Sequence, residues 1–280
     1  MPVPVERIAE LVKKGGFETE LKVASTLSAA GWRVDQSVYY IDKDEMIGRE
    51  LDAYSYVVLE DTDNNPQVHC AVSLCIEVKK TSEPFIFFSS ERKDFEGGAG
   101  YGMFHWRHNV DSNVLSYKDI EREKPLRAPK RIARSYSGLK DGKGQQIKSA
   151  ILSAVKAAIH YTEECNERWA EGSRDICFFV PVVVVDGDLY ECFFEKGSPD
   201  LKIEQVQSIV YLQNYMSPNY GQIRNKVYIY NQEAFKNSLG KYEAWAESIL
   251  SVLQKSRSRM VGAGIGRGGV DSAISATDAE

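Results

Sequence analysis

Two short fragments of the sequence place acidic and basic side chains where strand-like segments begin or end. Asp52 opens one apolar segment, and Glu77, Val78 and Lys79 end the next one. In a strand alternate side chains share a face, so Glu77 and Lys79 point the same way and Val78 the opposite way. If the two strands pair, Asp52 meets Glu77, and two converging carboxylates repel each other unless a cation compensates. Hard oxygen ligands suit Mg²⁺, so these residues predict a site for magnesium or manganese.

The chemistry of such a site is the hydrolysis of a phosphate ester. A divalent ion polarises a phosphoryl oxygen and lowers the pKa of a bound water. The ammonium group of Lys79 would orient that water or neutralise negative charge that develops on the phosphate.

Periodicity predicts the elements that must position these residues. Apolar residues at three- and four-residue steps indicate a helix over residues 17–30, which Gly31 ends. Three segments rich in Val, Ile, Tyr and Leu follow, separated by polar turns. We expect them to form consecutive strands over residues 32–41, 51–59 and 68–79.

The rest of the chain divides into an irregular and a regular part. Residues 89–144 contain four closely spaced glycines at 97–102 and two prolines and lack sustained periodicity, which predicts a long insertion with short helical pieces. A second long helix is expected over residues 145–170, and the continuous apolar run at 176–185 is typical of a central strand covered on both faces. The remaining predictions are strands at 189–195, 203–211 and 226–230, a helix at 232–254 and a disordered tail at 256–280.

Asp52 and the Glu77-Val78-Lys79 triplet, in this order of elements, resemble the restriction-endonuclease-like nucleases, the PD-(D/E)xK superfamily. The resemblance covers roughly residues 15–185 and implies an α/β (α+β) fold. Its core is a central mixed β-sheet flanked by helices, here with a long insertion (about 89–144) before the second core helix. Residues 1–255 would form a single elaborated nuclease domain, with C-terminal strands and a helix over about 186–255. The resemblance also implies metal binding by Asp52, Glu77 and the carbonyl group of Val78, with Lys79 as a catalytic residue.

The first helix resembles that of the Holliday-junction resolvase and Mrr-like branch. That branch carries a glutamate seven residues before a leucine and eleven before a glycine, and Glu20, Leu27 and Gly31 have this spacing. Glu20 is therefore the implied outer metal ligand and fourth catalytic residue, and Glu18 is its competitor. The sequence departs from the common pattern because Leu51, not proline, precedes Asp52. The insertion is not part of the minimal core, and it leaves the substrate and the branch open.

Charge is distributed unevenly along the chain. The net charge is -5, yet residues 118–148 contain ten basic and four acidic residues, a local excess of six positive charges. Beside a nuclease core, phosphate binding is the preferred interpretation of this cluster, and a solvated loop is the alternative. The predicted DNA contacts are Lys130, Arg131, Arg134, Lys140 and Lys143.

Weaker signals lie near the second helix and in the insertion. Gln145 or Gln146 would contact the site or DNA, or cap the helix, and Tyr136 and Lys140 would lie beside the scissile phosphate or pack in a loop. His105 and His108 are only three residues apart, but surface histidines are favoured over zinc ligands.

The sequence thus predicts a metal-dependent endonuclease that hydrolyses phosphodiester bonds of DNA, with RNA left open, in restriction, phage defence or repair. The alternative is a catalytically inactive nucleic-acid-binding or scaffold protein on the same fold. A homodimer is also left open, because many relatives pair to cut both strands. No apolar run approaches the length of a membrane span and no signal sequence is apparent, so we expect no membrane partner and a cytoplasmic location.

Overall fold

The computed structural model describes residues 3–93, 105–110, 114–115, 120, 129–138, 144–165 and 173–260. Its helices alternate with groups of strands along the chain. The helices are α1 (Val5–Gly15), α2 (Phe17–Ala29), α3 (Gln145–Glu164), α4 (Gln232–Lys255) and α5 (Arg257–Met260). None of these helices is both long and apolar enough to span a membrane.

Eleven strands among the described residues form one mixed sheet. They are β1 (Arg33–Asp42), β2 (Ile47–Asp61), β3 (Val68–Lys80), β4 (Phe85–Glu91), β5 (His105–His108), β6 (Arg131–Gly138), β7 (Arg174–Asp186), β8 (Leu189–Phe194), β9 (Leu201–Val206), β10 (Ser208–Ser217) and β11 (Gly221–Asn231). The order is β1-β2-β3-β7-β11-β10-β6-β4-β8-β9, and β5 also pairs with β7.

Strands β1, β2 and β3 form the predicted antiparallel meander, and β7 lies beside β3 in parallel from Val68↔Arg174 to Lys80↔Asp186. On its other edge β7 pairs with β5 and β11. The prediction of a buried central strand is therefore confirmed. A parallel neighbour needs a crossover, and the chain between β3 and β7 includes α3.

The two faces of the sheet pack against different helices. Alternate residues of β3 and β7, such as Ile76 and Phe178, join Leu27 of α2 and Trp245 of α4 in one core. The residues between them face α3, which contributes Ile151 and its apolar neighbours to a second core. The period of two in the strands thus sends each half of a continuous apolar run to a different helix layer.

Several predicted boundaries are wrong. The insertion is not a set of short helices in its described part, because β5 and β6 lie within it and both pair with core strands. The single strand predicted at 203–211 is two strands, β9 and β10, which separate at Gln207.

The helix predicted to reach residue 170 ends at Glu164, and residues 166–172 lie outside the described part of the chain. The predicted tail begins with α5, and residues 261–280 are not described. Helix α1 was not predicted, although Pro4 precedes it and Val5, Ile8 and Leu11 follow a helical spacing. Its apolar side chains are largely exposed, so burial does not fix this helix.

Candidate active site

Sheet register brings the two predicted acids together. Ala53 of β2 pairs with Ile76 of β3, so the next position along each strand places Asp52 beside Glu77. The Oδ2 atom of Asp52 accepts a hydrogen bond of 2.7 Å from the backbone N–H of Val78. This contact fixes the carboxylate against the acidic end of β3.

The Lys79 ammonium lies where three oxygen atoms converge. Its Nζ atom is 2.7 Å from Glu77 Oε2, 3.0 Å from the carbonyl oxygen of Val78 and 3.4 Å from Asp52 Oδ2. These three oxygens are the donors that the family resemblance assigns to a divalent ion. The strand alternation that puts Glu77 and Lys79 on one face explains why the ammonium reaches them.

Helix α3 holds the second oxygen of Glu77. The Ser153 hydroxyl donates a hydrogen bond of 2.7 Å to Glu77 Oε1, and Tyr40 Oη lies 3.1 Å from Ser153 Oγ. Glu77 is only 5% exposed, so its carboxylate needs partners on both oxygens. Neither Ser153 nor Tyr40 was predicted, because no local spacing links either residue to the triplet, from which Ser153 is 76 residues distant.

Helix α2 places Glu20 at a pocket beside the acids. The pocket has a volume of 710 Å³ and is lined by Glu10, Gly15, Gly16, Glu20, Val78, Lys79, Lys80 and Ser82. The α2 helix is attached to the end of β7 by a hydrogen bond of 2.8 Å from Thr19 Oγ1 to Asp186 Oδ2. Glu18, the competing residue, forms a surface ion pair of 2.9 Å with Lys22. The structure therefore favours Glu20 over Glu18.

The pKa values of the site reflect crowding of acids around one cation. Burial raises the pKa of the Glu77 carboxyl group and Asp52 raises it further, while Lys79 and Ser153 lower it. Burial also raises the pKa of Glu20, and the nearby carboxylate of Asp52 adds to this rise. For Lys79 burial lowers the pKa, but Glu77 and Asp52 together outweigh burial and leave the pKa above its ordinary value. The ammonium group therefore remains charged at neutral pH.

The donor set fits a hard divalent cation. Two carboxylates and one carbonyl group are oxygen ligands of the kind that Mg²⁺ prefers, and a cationic nitrogen already lies among them. Within the described part of the chain, however, no three His, Cys, Asp or Glu side chains are arranged to hold a metal ion. The site thus offers two acidic side chains and a backbone oxygen, with Glu20 outside this set.

Arg131, one of the predicted DNA contacts, lies apart from the acids, because its strand β6 is separated from β3 in the sheet by β7, β11 and β10. Arg131 pairs with Glu91, the last residue of β4. Glu91 lies six residues beyond Phe85, where β4 begins after the turn from β3. At about 3.3 Å per residue this separation along the strand is roughly 20 Å.

The Arg131 guanidinium contacts Glu191 at 2.7 Å and Glu204 at 3.2 Å, and it lies 3.5 Å from the centre of the Phe193 ring. The positive charge of Arg131 is therefore compensated by two glutamates of the same chain. Arg134 donates a hydrogen bond of 2.7 Å to Ser90 Oγ, and Lys130 is exposed. Lys140 and Lys143 lie outside the described residues.

The weaker candidates do not reach the pocket either. Tyr136 packs edge-on against Phe87 and Tyr211, so of its two predicted roles the structure shows the packing role. Gln145 and Gln146 are exposed in the first turn of α3. His105 and His108 lie on β5, where a spacing of three residues directs them to opposite faces.

Comparisons of this chain with protein-family models, with curated proteins and with solved structures find no match.

Proposed function

We propose that this protein is a divalent-metal-dependent nuclease that hydrolyses phosphodiester bonds of DNA. The observation that carries the proposal is the convergence of Asp52 Oδ2, Glu77 Oε2 and the Val78 carbonyl oxygen on one cationic nitrogen. Val78 and Lys79 of this cluster line an open pocket of 710 Å³ together with Glu20, so a substrate in the pocket would meet the Lys79 side of the cluster.

Asp52, Glu77 and the Val78 carbonyl group would hold the ion, and Glu20 would support it from the pocket wall. When bound, the ion supplies a polarised phosphoryl oxygen and a water of lowered pKa. Lys79 would exchange its carboxylate partners for the phosphate and neutralise charge there. In the reaction the water would give a proton to solvent as its oxygen bonds to phosphorus, the bond from phosphorus to the leaving oxygen would break, and the leaving oxygen would take up a proton from solvent.

Ser153 and Tyr40 have a positioning role in this proposal. The hydrogen bond from Ser153 fixes Glu77 Oε1, which leaves Glu77 Oε2 directed toward Lys79. Thr19 has a positioning role as well, because its hydrogen bond to Asp186 holds α2, the helix that carries Glu20, against the end of β7.

The second candidate function is a catalytically inactive protein that binds nucleic acid or serves as a scaffold. It is favoured by the ammonium of Lys79, which compensates the two acids without a metal ion. The two proposals differ in whether the acids exchange Lys79 for a divalent ion.

Cleavage of a labelled DNA duplex and of single-stranded DNA tests the first proposal. We expect strand breaks in magnesium or manganese and none in EDTA. Lys79→Ala should lower the rate at least about 100-fold, the lower range for one positioned catalytic group. Lys22→Ala is the matched control, because Lys22 forms only a surface ion pair. Undiminished cleavage by Lys79→Ala would refute the proposal, and DNA binding without metal-dependent cleavage by the wild type would favour the inactive alternative.

A further inference from the structure

The last strand in the sheet order, β9, exposes apolar side chains along an open edge. Within the described part of the chain β9 pairs only with β8. Leu201 and Ile203 of β9 are 51% and 61% exposed, and the neighbouring Phe194 of β8 is 60% exposed. Leu201 and Ile203 share one face of the strand, and Phe194 pairs directly with Leu201.

Open sheet edges are templates for pairing with another chain, and folded proteins usually interrupt them. The opposite edge of this sheet has such an interruption. In β1 the ladder with β2 lacks a pair between Ser37 and Asp52, and the Ser37 backbone has a φ of 51°, while the register is the same on both sides of this position. Strand β9 has a continuous register with β8 from Leu201 to Val206. The two edges of one sheet therefore differ in their readiness to pair.

We propose that β9 is a self-pairing edge, and that two copies of this chain join their β9 strands in antiparallel order about a twofold axis at Ile203. The sequence of the strand is complementary to itself in this register. Lys202 of each copy lies opposite Glu204 of the other copy, and Ile203 lies opposite its own counterpart. Opposite charges on directly opposed strand residues are favourable.

The two adjacent registers lack this complementarity. An axis at Lys202 would oppose two lysines, and an axis at Glu204 would oppose two glutamates. The six residues of β9 span about 20 Å, so the pairing would continue the sheet across the axis. It would also place Ile203 of each copy against its counterpart, which shields part of this exposed apolar side chain from water. The occupant that fits the edge is therefore a second copy, in an isologous interface.

Glu204 already contacts Arg131 at 3.2 Å, but it remains half exposed. Lys202 is also exposed. The interface therefore needs no rearrangement of β9. The inference concerns the sheet edge alone, and it stands whether or not the acid cluster cleaves DNA.

Sedimentation velocity over the micromolar range tests the proposal on the full chain. The wild type should form a dimer. Lys202→Glu should weaken the dimer about tenfold, because it opposes like charges at two symmetric positions. The double variant Lys202→Glu/Glu204→Lys should restore the affinity, since the swapped charges again oppose each other. Ile203→Asp should give a monomer, because it opposes two acids at the axis.

Asp35→Lys changes an exposed charge on the opposite edge strand, β1, and is the matched control, with the dimer constant unchanged. Thermal melting of each variant reports that it is folded; Ile203 and Lys202 are exposed, so both variants should melt near the wild type. A wild type that stays monomeric would overturn the proposal. A dimer unaffected by Lys202→Glu and Ile203→Asp, or one that Asp35→Lys dissociates, would overturn it as well.

Discussion

Two clusters in this protein have the same composition, a lysine between two carboxylates, but different surroundings. Lys79 lies between Asp52 and Glu77 beside an open pocket. Lys156 of α3 contacts both oxygens of Asp42 at 2.8 and 2.9 Å and Asp44 at 2.9 Å. The side chain of Lys156 is 9% exposed, against 25% for Lys79.

The second cluster is closed by aromatic rings. Tyr215 and Tyr220 lie with their ring centres 5.3 and 5.1 Å from the Lys156 ammonium, and the Tyr215 hydroxyl donates to Asp44. Hydrogen bonds from Ser217 and Tyr215 hold the pKa of Asp44 well below its usual range. This network joins the β1–β2 turn to α3 and to the β10–β11 hairpin. A lysine between two carboxylates is therefore not sufficient for an active site, because a substrate must also be able to reach the cluster from solvent.

The largest difference expected between the clusters is in stability. Lys156→Ala leaves the buried carboxylate of Asp42 without its main cation, and breaking a buried ion pair costs about 3–5 kcal/mol. Lys79→Ala should cost less than half as much, because the Lys79 and Asp52 side chains are 25% and 21% exposed and buried Glu77 keeps its hydrogen bond from Ser153. Urea unfolding at neutral pH measures both free energies.

Lys148→Ala is the control for this comparison, since Lys148 is exposed on the same helix and its loss should change the free energy by at most about 0.5 kcal/mol. Equal destabilisation by Lys79→Ala and Lys156→Ala would mean that both clusters are structural.

The stabilisation gained from a metal ion should also differ between the clusters, by a smaller free energy than the lysine substitutions. A ligand that binds only the folded state stabilises it by RT ln(1 + [L]/Kd), which is about 2.7 kcal/mol at one hundred times Kd. Manganese should therefore raise the melting temperature of the wild type. Asp52→Asn should lose most of this gain and Asp44→Asn should keep it, relative to each variant in EDTA. Calorimetry with and without manganese measures these gains, and an equal gain in all three proteins would place the ion elsewhere.

The smallest expected effect concerns Glu20 and pH. A carboxyl group whose pKa is raised in the folded state binds more protons there than in the unfolded chain, so stability falls as pH rises from the unfolded to the folded pKa. Glu20→Gln should remove this loss and raise the melting temperature at pH 7 in EDTA by less than about 2 °C. The gain should vanish below the unfolded pKa of about 4.3.

Glu18→Gln, two residues away on the same helix, is the control for the pH experiment. It removes a surface ion pair with Lys22, so it should not stabilise the protein at pH 7. A gain from Glu18→Gln that matched the gain from Glu20→Gln would show that general surface charge, and not the acid cluster, causes the effect.

Local pattern was sufficient for the elements that carry the candidate site. The helix at 17–30 follows from its apolar periodicity, the three-strand meander from segments rich in Val, Ile, Tyr and Leu, and the central strand at 176–185 from its continuous apolar run. The alternation of side chains along a strand placed Glu77 and Lys79 together, and the resemblance of the first helix to a family motif favoured Glu20 over Glu18. These are properties of short segments, which a sequence records directly.

Tertiary structure alone decided which partners these side chains have. Lys156 and Asp42 are 114 residues apart, and Ser153 meets Glu77 across 76 residues. Arg131 looked like a free cation in a basic cluster, but β6 lies where Glu191 and Glu204 take up its charge. Such pairs depend on the order of strands in the sheet and on the face that a crossover helix covers. The free energy that fixes them comes from burying the whole core, so no local spacing in the sequence specifies them.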